Sequence, residues 1–118
     1  MKVLIIEDDL DMQKIYGDLL RINNHEVISA TDGARGFSFA QTKAPDIILL
    51  DLMLPGKLNG FDVLEKIKKD ESLKNLPVIV LTNLDSEQNV AKSIGATNYL
   101  IKANVSPRQV VEKVEEHL

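Results

Sequence analysis

The sequence predicts an α/β fold in which a parallel sheet is covered by helices on both faces. Two observations carry this. Five short apolar runs alternate with segments whose apolar residues recur every three or four positions, the pattern of a chain that passes from strand to helix throughout. The runs are nearly continuous, as in Val3-Leu4-Ile5-Ile6 and Ile47-Ile48-Leu49-Leu50, and continuity suits a strand buried on both faces rather than one with a wet side. The 118 residues fit one domain, 1–118, able to bury a core without the help of a disulfide or structural metal.

Val3 to Ile6 is the first strand, and Met12, Ile15, Leu19 and Ile22 predict the apolar stripe of the first helix. Asn23-Asn24-His25 breaks that pattern. Glu26 to Ala30 is a weaker second strand, Thr31-Asp32-Gly33 a turn, and Ala34, Phe37 and Ala40 a modest stripe for a second helix. Gly36 counts against that helix, since glycine in a helix costs about 1 kcal/mol relative to alanine. Ala44-Pro45-Asp46 leads into the third strand, Ile47 to Asp51. The loop beyond it carries Pro55, Gly56, Asn59 and Gly60. Phe61, Leu64 and Ile67 then begin a helix whose outer face is Asp62, Glu65, Lys66, Lys68 and Lys69.

Val78 to Leu81 is the fourth strand and ends on Thr82. Asp85 or Ser86 is a candidate cap for a short helix containing Val90 and Ile94, with Gly95 placed to stop it. Tyr99-Leu100-Ile101 is the fifth strand and ends on Lys102. Ser106-Pro107-Arg108-Gln109 has the cap, the first-turn proline and the glutamine of a helix start, and Val110, Val111, Val114 and Leu118 form the stripe that follows.

In parallel sheets with helices on both faces, ligands bind outside the carboxyl ends of the strands, near the point where strand order reverses. Glu7 and Asp8 follow the first strand, Asp51 ends the third, Thr82 the fourth and Lys102 the fifth. Three carboxylates in one pocket repel each other, and a divalent cation relieves the repulsion; hard oxygen donors favour magnesium. An aspartate beside Mg²⁺, with a lysine ammonium and a threonine hydroxyl converging on it, has the parts for phosphoryl transfer to a carboxylate. Singly these residues say little. Asp9 and Asp11 read as solvated or capping acids, Asp32 and Asp46 as turn residues, His25 and His117 as surface residues, and Phe37 and Phe39 as packing.

Four stretches in order, Ile5-Ile6-Glu7-Asp8-Asp9, Pro45 to Gly56 around Asp51, Val80-Leu81-Thr82, and Gly95-Ala96 leading to Tyr99-Leu100-Ile101-Lys102, resemble the receiver domain of two-component response regulators. The resemblance implies a flavodoxin-like, doubly wound (βα)5 three-layer sandwich with sheet order 2-1-3-4-5. It implies that Asp51 accepts phosphoryl from a phosphohistidine on a sensor histidine kinase or phosphotransfer protein. Asp8, Asp51 and the Met53 carbonyl would bind Mg²⁺, with Glu7 acting through water, and Thr82 and Lys102 would contact the phosphoryl group. Tyr99 would turn inward when Thr82 moves. Such a domain catalyses its own phosphorylation and, with apolar Met53 and Leu84 flanking the site, slow dephosphorylation. The implied output is a change in the face formed by the fourth helix, fifth strand and fifth helix, read by a downstream protein, an output domain or a second copy.

The chain departs from the family's pattern in three places. The loop from Asp51 to Gly60 is one residue longer and the stretch from Thr82 to Lys102 about two shorter. Asn83 replaces a small residue, and Ala103 stands where proline is usual, leaving the bond before it either trans or a costly cis peptide.

Composition narrows the field further. With 14 Lys and Arg against 18 Asp and Glu, net charge −4, direct nucleic-acid binding is not expected. The absence of cysteine and the short, acid-flanked first run point to a cytoplasmic protein with no membrane segment. An aspartyl phosphatase or transferase wants a second acid two residues after Asp51, where Met53 stands. A flavin-phosphate binder wants a Gly/Ser/Thr-rich loop where Glu7-Asp8-Asp9 stands. A pseudo-receiver serving only as an interaction module remains the alternative.

Overall fold

The computed structural model describes residues 1–117. In chain order the elements are β1 (Lys2–Ile6), α1 (Leu10–Ile22), β2 (Glu26–Ala30), α2 (Gly33–Thr42), β3 (Ile47–Leu50), α3 (Gly60–Lys69), β4 (Val78–Thr82), α4 (Gln88–Ile94), β5 (Asn98–Ile101) and α5 (Pro107–Glu115), with a short 3₁₀ turn at Lys102–Asn104. The strands form one parallel sheet in the order β2-β1-β3-β4-β5, the order the resemblance implied.

Because side chains alternate across a strand, each apolar run supplies both faces of the sheet. Leu4, Ile6, Ile48, Leu50, Val78 and Val80 pack with Ala40 of α2, Val63, Leu64 and Ile67 of α3 and Ala91 of α4. Val3, Ile5, Ile47, Leu49, Ile79 and Leu81 pack with Tyr16 and Leu20 of α1 and Val110, Val111 and Val114 of α5. Three layers result, which is why the runs are continuous rather than alternating. None of the helices in the described residues is long and apolar enough to cross a membrane.

Two glycines permit close approaches that position the later site. A Cβ on Gly60 would overlap the Asp51 carbonyl oxygen, and the Gly60 amide donates to the Leu52 carbonyl at 3.0 Å, so the start of α3 is docked onto the backbone that carries Asp51. Gly36, the residue that counted against α2, sits where a Cβ would lie 2.6 Å from the Ile6 side chain. Its missing side chain is the reason α2 can rest on β1.

Several expectations are corrected. On α1 the buried residues are Tyr16, Gly17 and Leu20, with Met12 and Leu19 half-buried, while Ile15 and Ile22 are 41% and 73% exposed. Met12, Tyr16, Leu19 and Leu20 recur at helical spacing too, so periodicity alone does not choose between two overlapping stripes that share Met12 and Leu19. In α2, Gly33, Gly36 and Ala40 face inward and Ala34 is exposed; in α3, Val63 is buried and Phe61 only half so. Neither Asp85 nor Ser86 caps α4, which begins after Glu87 with no side-chain cap; Gly95 does end it. The Tyr99 hydroxyl bonds the Leu84 carbonyl, which keeps this stretch in the loop.

The histidines are not free surface groups. His25 Nε2 lies 2.9 Å from Glu115 Oε2, and His117 pairs with the Asn98 side chain, so both tie the end of α5 to the rest of the fold. The Ser106–Gln109 capping box forms as expected, and Asp9 and Asp32 cap α1 and α2. Leu118 lies outside the described residues. Among the described residues every peptide bond is trans, Lys102–Ala103 included.

Candidate functional site

The register of the sheet assembles the site. β1 and β3 are neighbours with Ile6 opposite Leu50, so the residues that follow them, Glu7 and Asp51, emerge side by side at the carboxyl edge. The Asp51 amide donates to the Ile6 carbonyl at 3.0 Å, extending the pairing to the acid itself. This is the switch point of the sheet, since the chain passes from β1 to β2 on one side and to β3 on the other. Thr82 at the end of β4 lies on the far side of β3, and Lys102 follows β5.

The buried polar or charged residues among those described are Glu7 (3% exposed), Asp51 (6%) and Thr82 (0%). A fold does not bury two carboxylates together for stability, because each loses hydration and repels the other. Lys102 Nζ bonds both, reaching Asp51 Oδ2 at 2.9 Å and Glu7 Oε1. The other Asp51 oxygen, Oδ1, accepts the Met53 amide at 3.0 Å. Thr82 Oγ1 accepts the Leu84 amide at 3.3 Å, while the Tyr99 hydroxyl donates to the carbonyl of the same residue. Leu84 therefore links Thr82 to Tyr99 through one peptide unit on each side.

Glu7, Asp8 and Asp51 each offer a carboxylate oxygen within 4.8 Å of the others, and one ammonium cannot balance three carboxylates. Glu7 Oε2 is buried without a partner. A buried oxygen lacking a donor, in an all-oxygen set carrying excess negative charge, fits a hard divalent cation. The Met53 side chain is exposed, and its backbone N–H donates to Asp51 Oδ1, which holds the Leu52–Met53 peptide against the acid.

Burial first, and then hydrogen bonding and charge from Asp51, raise the Glu7 pKa from 4.5 to about 7, with Lys102 opposing. For Lys102, burial would lower the pKa, but the hydrogen bonds to Glu7 and Asp51 outweigh it and hold the ammonium above its ordinary range. Between 4.5 and about 7 the folded chain binds more protons at Glu7 than the unfolded chain does. The stability contributed by Glu7 is therefore full below 4.5 and lost as pH rises through about 7. In chelator, Glu7→Gln is expected to melt with the wild type near pH 5 and above it near pH 8; a gap independent of pH contradicts this.

Sequence reasoning missed two residues here. Gln13 donates from its side-chain amide to the carbonyls of Glu7 (2.7 Å) and Ala30 (2.8 Å), bracing the β1–α1 loop. Tyr16 is buried against Glu7 and Asp51. The signal available for Gln13 was a polar residue beside the stripe, four positions after the Asp9 cap; for Tyr16 it was the second possible stripe of α1.

A match to known proteins accompanies this geometry. The family model of the response regulator receiver domain matches residues 3–115. The chain belongs to the response regulator receiver family. It is 37% identical over 103 residues to the DNA-binding dual master transcriptional regulator RpaA of Synechocystis sp., covering 86% of this chain and 42% of that protein. Protein PilH of Pseudomonas aeruginosa is 35% identical over 104 residues, covering 86% of this chain and 84% of PilH. Among solved structures, the Mn(2+)-bound form of response regulator Rcp1 superposes with a TM-score of 0.83 at 30% identity, covering 98% of this chain and 91% of that one. The receiver chain spans less than half the length of the transcriptional regulators it matches first. It is thus a receiver domain of two-component systems, with the acidic pocket at the carboxyl edge of its sheet.

Proposed function

We propose that this receiver accepts a phosphoryl group on Asp51 from a phosphohistidine of a sensor histidine kinase or phosphotransfer protein, in a Mg²⁺-dependent reaction that the receiver itself catalyses. The observation that carries this is the clamp on Asp51: one oxygen on the Lys102 ammonium, the other on the Met53 amide, and two further acids alongside. A nucleophile held from both sides keeps its orientation without reorganising during reaction.

In the transfer a carboxylate oxygen of Asp51 attacks phosphorus, the phosphorus–nitrogen bond of the donor breaks, and the imidazole leaves and takes up a proton. Lys102 faces the charge of the transferring group, and the Thr82 hydroxyl is placed to donate to one of its oxygens. Glu7, Asp8, Asp51 and the Met53 carbonyl would hold Mg²⁺, which when bound supplies positive charge to the phosphoryl oxygens. The Mn²⁺ in the Rcp1 structure supports a divalent ion for this pocket. Apolar Met53 and half-buried Leu84 offer no group to orient an attacking water, which supports slow loss of the phosphoryl group.

Thr82 and Tyr99 share Leu84, so a Thr82 hydroxyl drawn to the phosphoryl group releases the Leu84 amide and loosens the peptide that Tyr99 holds. The helix beyond, α4, is seven residues long and has no side-chain cap, the make-up of an element with low local stability. Both support a population shift of the α4-β5-α5 face on phosphorylation, read by an output domain, a downstream protein or a second copy. Such a protein would work in the cytoplasm.

The test is intact-mass measurement after incubation with a small acyl phosphate, with Mg²⁺ and with chelator. A single phosphoryl adduct that needs Mg²⁺ is expected. No adduct with Mg²⁺ leaves a protein-interaction module; an adduct that survives chelation overturns the role given to the acids.

A further inference from the structure

A small cavity of about 10 Å³ lies against the acid pair, where Glu7, Asp51 and Tyr16 meet the aliphatic side chains of Ile5, Leu49 and Leu81. That is room for one water molecule, and a water is held only where two or more polar partners face it. One group here needs such a partner, and a second is close enough to share it. Glu7 spends Oε1 on Lys102, while Oε2 is buried with nothing to bond. Tyr16 is 2% exposed and lines the same cavity, and a buried tyrosine hydroxyl is normally paired. A tyrosine hydroxyl is both donor and acceptor, so it can donate to a water placed there.

We propose that one water in this cavity accepts a hydrogen bond from the Tyr16 hydroxyl and donates one to Glu7 Oε2, making Tyr16 a positioning residue for the Glu7 carboxylate. The water's second proton faces Asp51, which lines the same space, so the water also lies between two like charges. Tyr16 reaches the metal and the phosphoryl group only through this water and the acids it faces. Its effect on the reaction therefore rests on the phosphoacceptor reading, while the hydrogen bond itself does not.

Tyr16 and Tyr99 are the two tyrosines of the chain, so a wild-type minus Tyr16→Phe difference spectrum isolates Tyr16. Ultraviolet resonance Raman of the metal-free protein is expected to show the ring-mode doublet ratio of a donating hydroxyl; the ratio of an unbonded hydroxyl overturns the proposal. Tyr16→Phe keeps the ring in the core, and its thermal unfolding in chelator checks that the fold is intact. In calorimetric titration with Mg²⁺ the variant is expected to bind about fivefold more weakly than wild type, the scale of one lost hydrogen bond. Equal or tighter binding by the variant overturns the positioning role. If wild type binds no Mg²⁺ and forms no adduct, the phosphoacceptor reading fails, and the Raman measurement alone decides the Tyr16–water–Glu7 bond.

Discussion

Asp51→Asn is expected to abolish the phosphoryl adduct completely while leaving the metal-free protein at least as stable as wild type near pH 8. The two halves of this outcome have one cause. The amide is a poor nucleophile, so the acceptor is gone, but asparagine keeps the shape of aspartate and an oxygen for the Met53 amide. It also removes one of two buried carboxylates. Burial is the largest cause of the raised Glu7 pKa and Asp51 adds to it by hydrogen bonding and by charge, so without Asp51 the Glu7 carboxyl ionises at lower cost. Intact mass reads the first half and thermal unfolding in chelator the second. A variant that still takes one phosphoryl group moves the site away from Asp51. One that melts well below wild type would show that the acid is held for stability rather than for chemistry.

Lys102→Met is expected to reduce the rate of adduct formation by about 100-fold, the usual consequence of losing one fixed cationic or hydrogen-bonding group at a reacting centre. Methionine fills the volume of the lysine stem, so packing is preserved and charge is what changes. The stability effect runs opposite to that of Asp51→Asn. Lys102 is the ammonium that bonds both Glu7 and Asp51, and its side chain is only 17% exposed. Breaking a buried ion pair from one side costs about 3–5 kcal/mol, and this loss should approach the lower figure near pH 8. Near pH 5 much of it should return, because Glu7, with its raised pKa, takes a proton where it has lost the ammonium. Melting curves at both pH values in chelator check this; a loss that does not depend on pH contradicts it.

Much of the fold was legible in the chain. Continuous runs such as Ile47 to Leu50 announce strands covered on both sides, and the helix ends that matter, Ser106 with Gln109 at the start of α5 and Gly95 at the close of α4, work through local hydrogen bonds and backbone shape that neighbours in sequence supply. The helix faces were less legible. Met12-Ile15-Leu19-Ile22 and Met12-Tyr16-Leu19-Leu20 satisfy the same period, and only docking against Val3, Ile5 and the valines of α5 selects the second. Gly36 counted against a helix by propensity, yet its lack of a side chain is what lets that helix lie on Ile6; tertiary contact outweighed a local cost of about 1 kcal/mol.

For the candidate site, sequence placed Glu7, Asp8, Asp51, Thr82 and Lys102 at strand ends, because a strand that ends on a polar residue is visible in one dimension. It did not determine that Lys102 bonds Glu7 as well as Asp51, that Leu84 joins Thr82 to Tyr99, or that Tyr16 and Gln13 stand behind the acids. The Lys102 contacts depend on side chains 51 and 95 residues apart meeting across the sheet edge. By itself the sequence determined which polar residues stand at the strand ends, since composition at each strand end is local. The tertiary structure alone decided who pairs with whom and which oxygen goes unpaired, since strand order and register bring the ends together and burial sets the energy of every charge there.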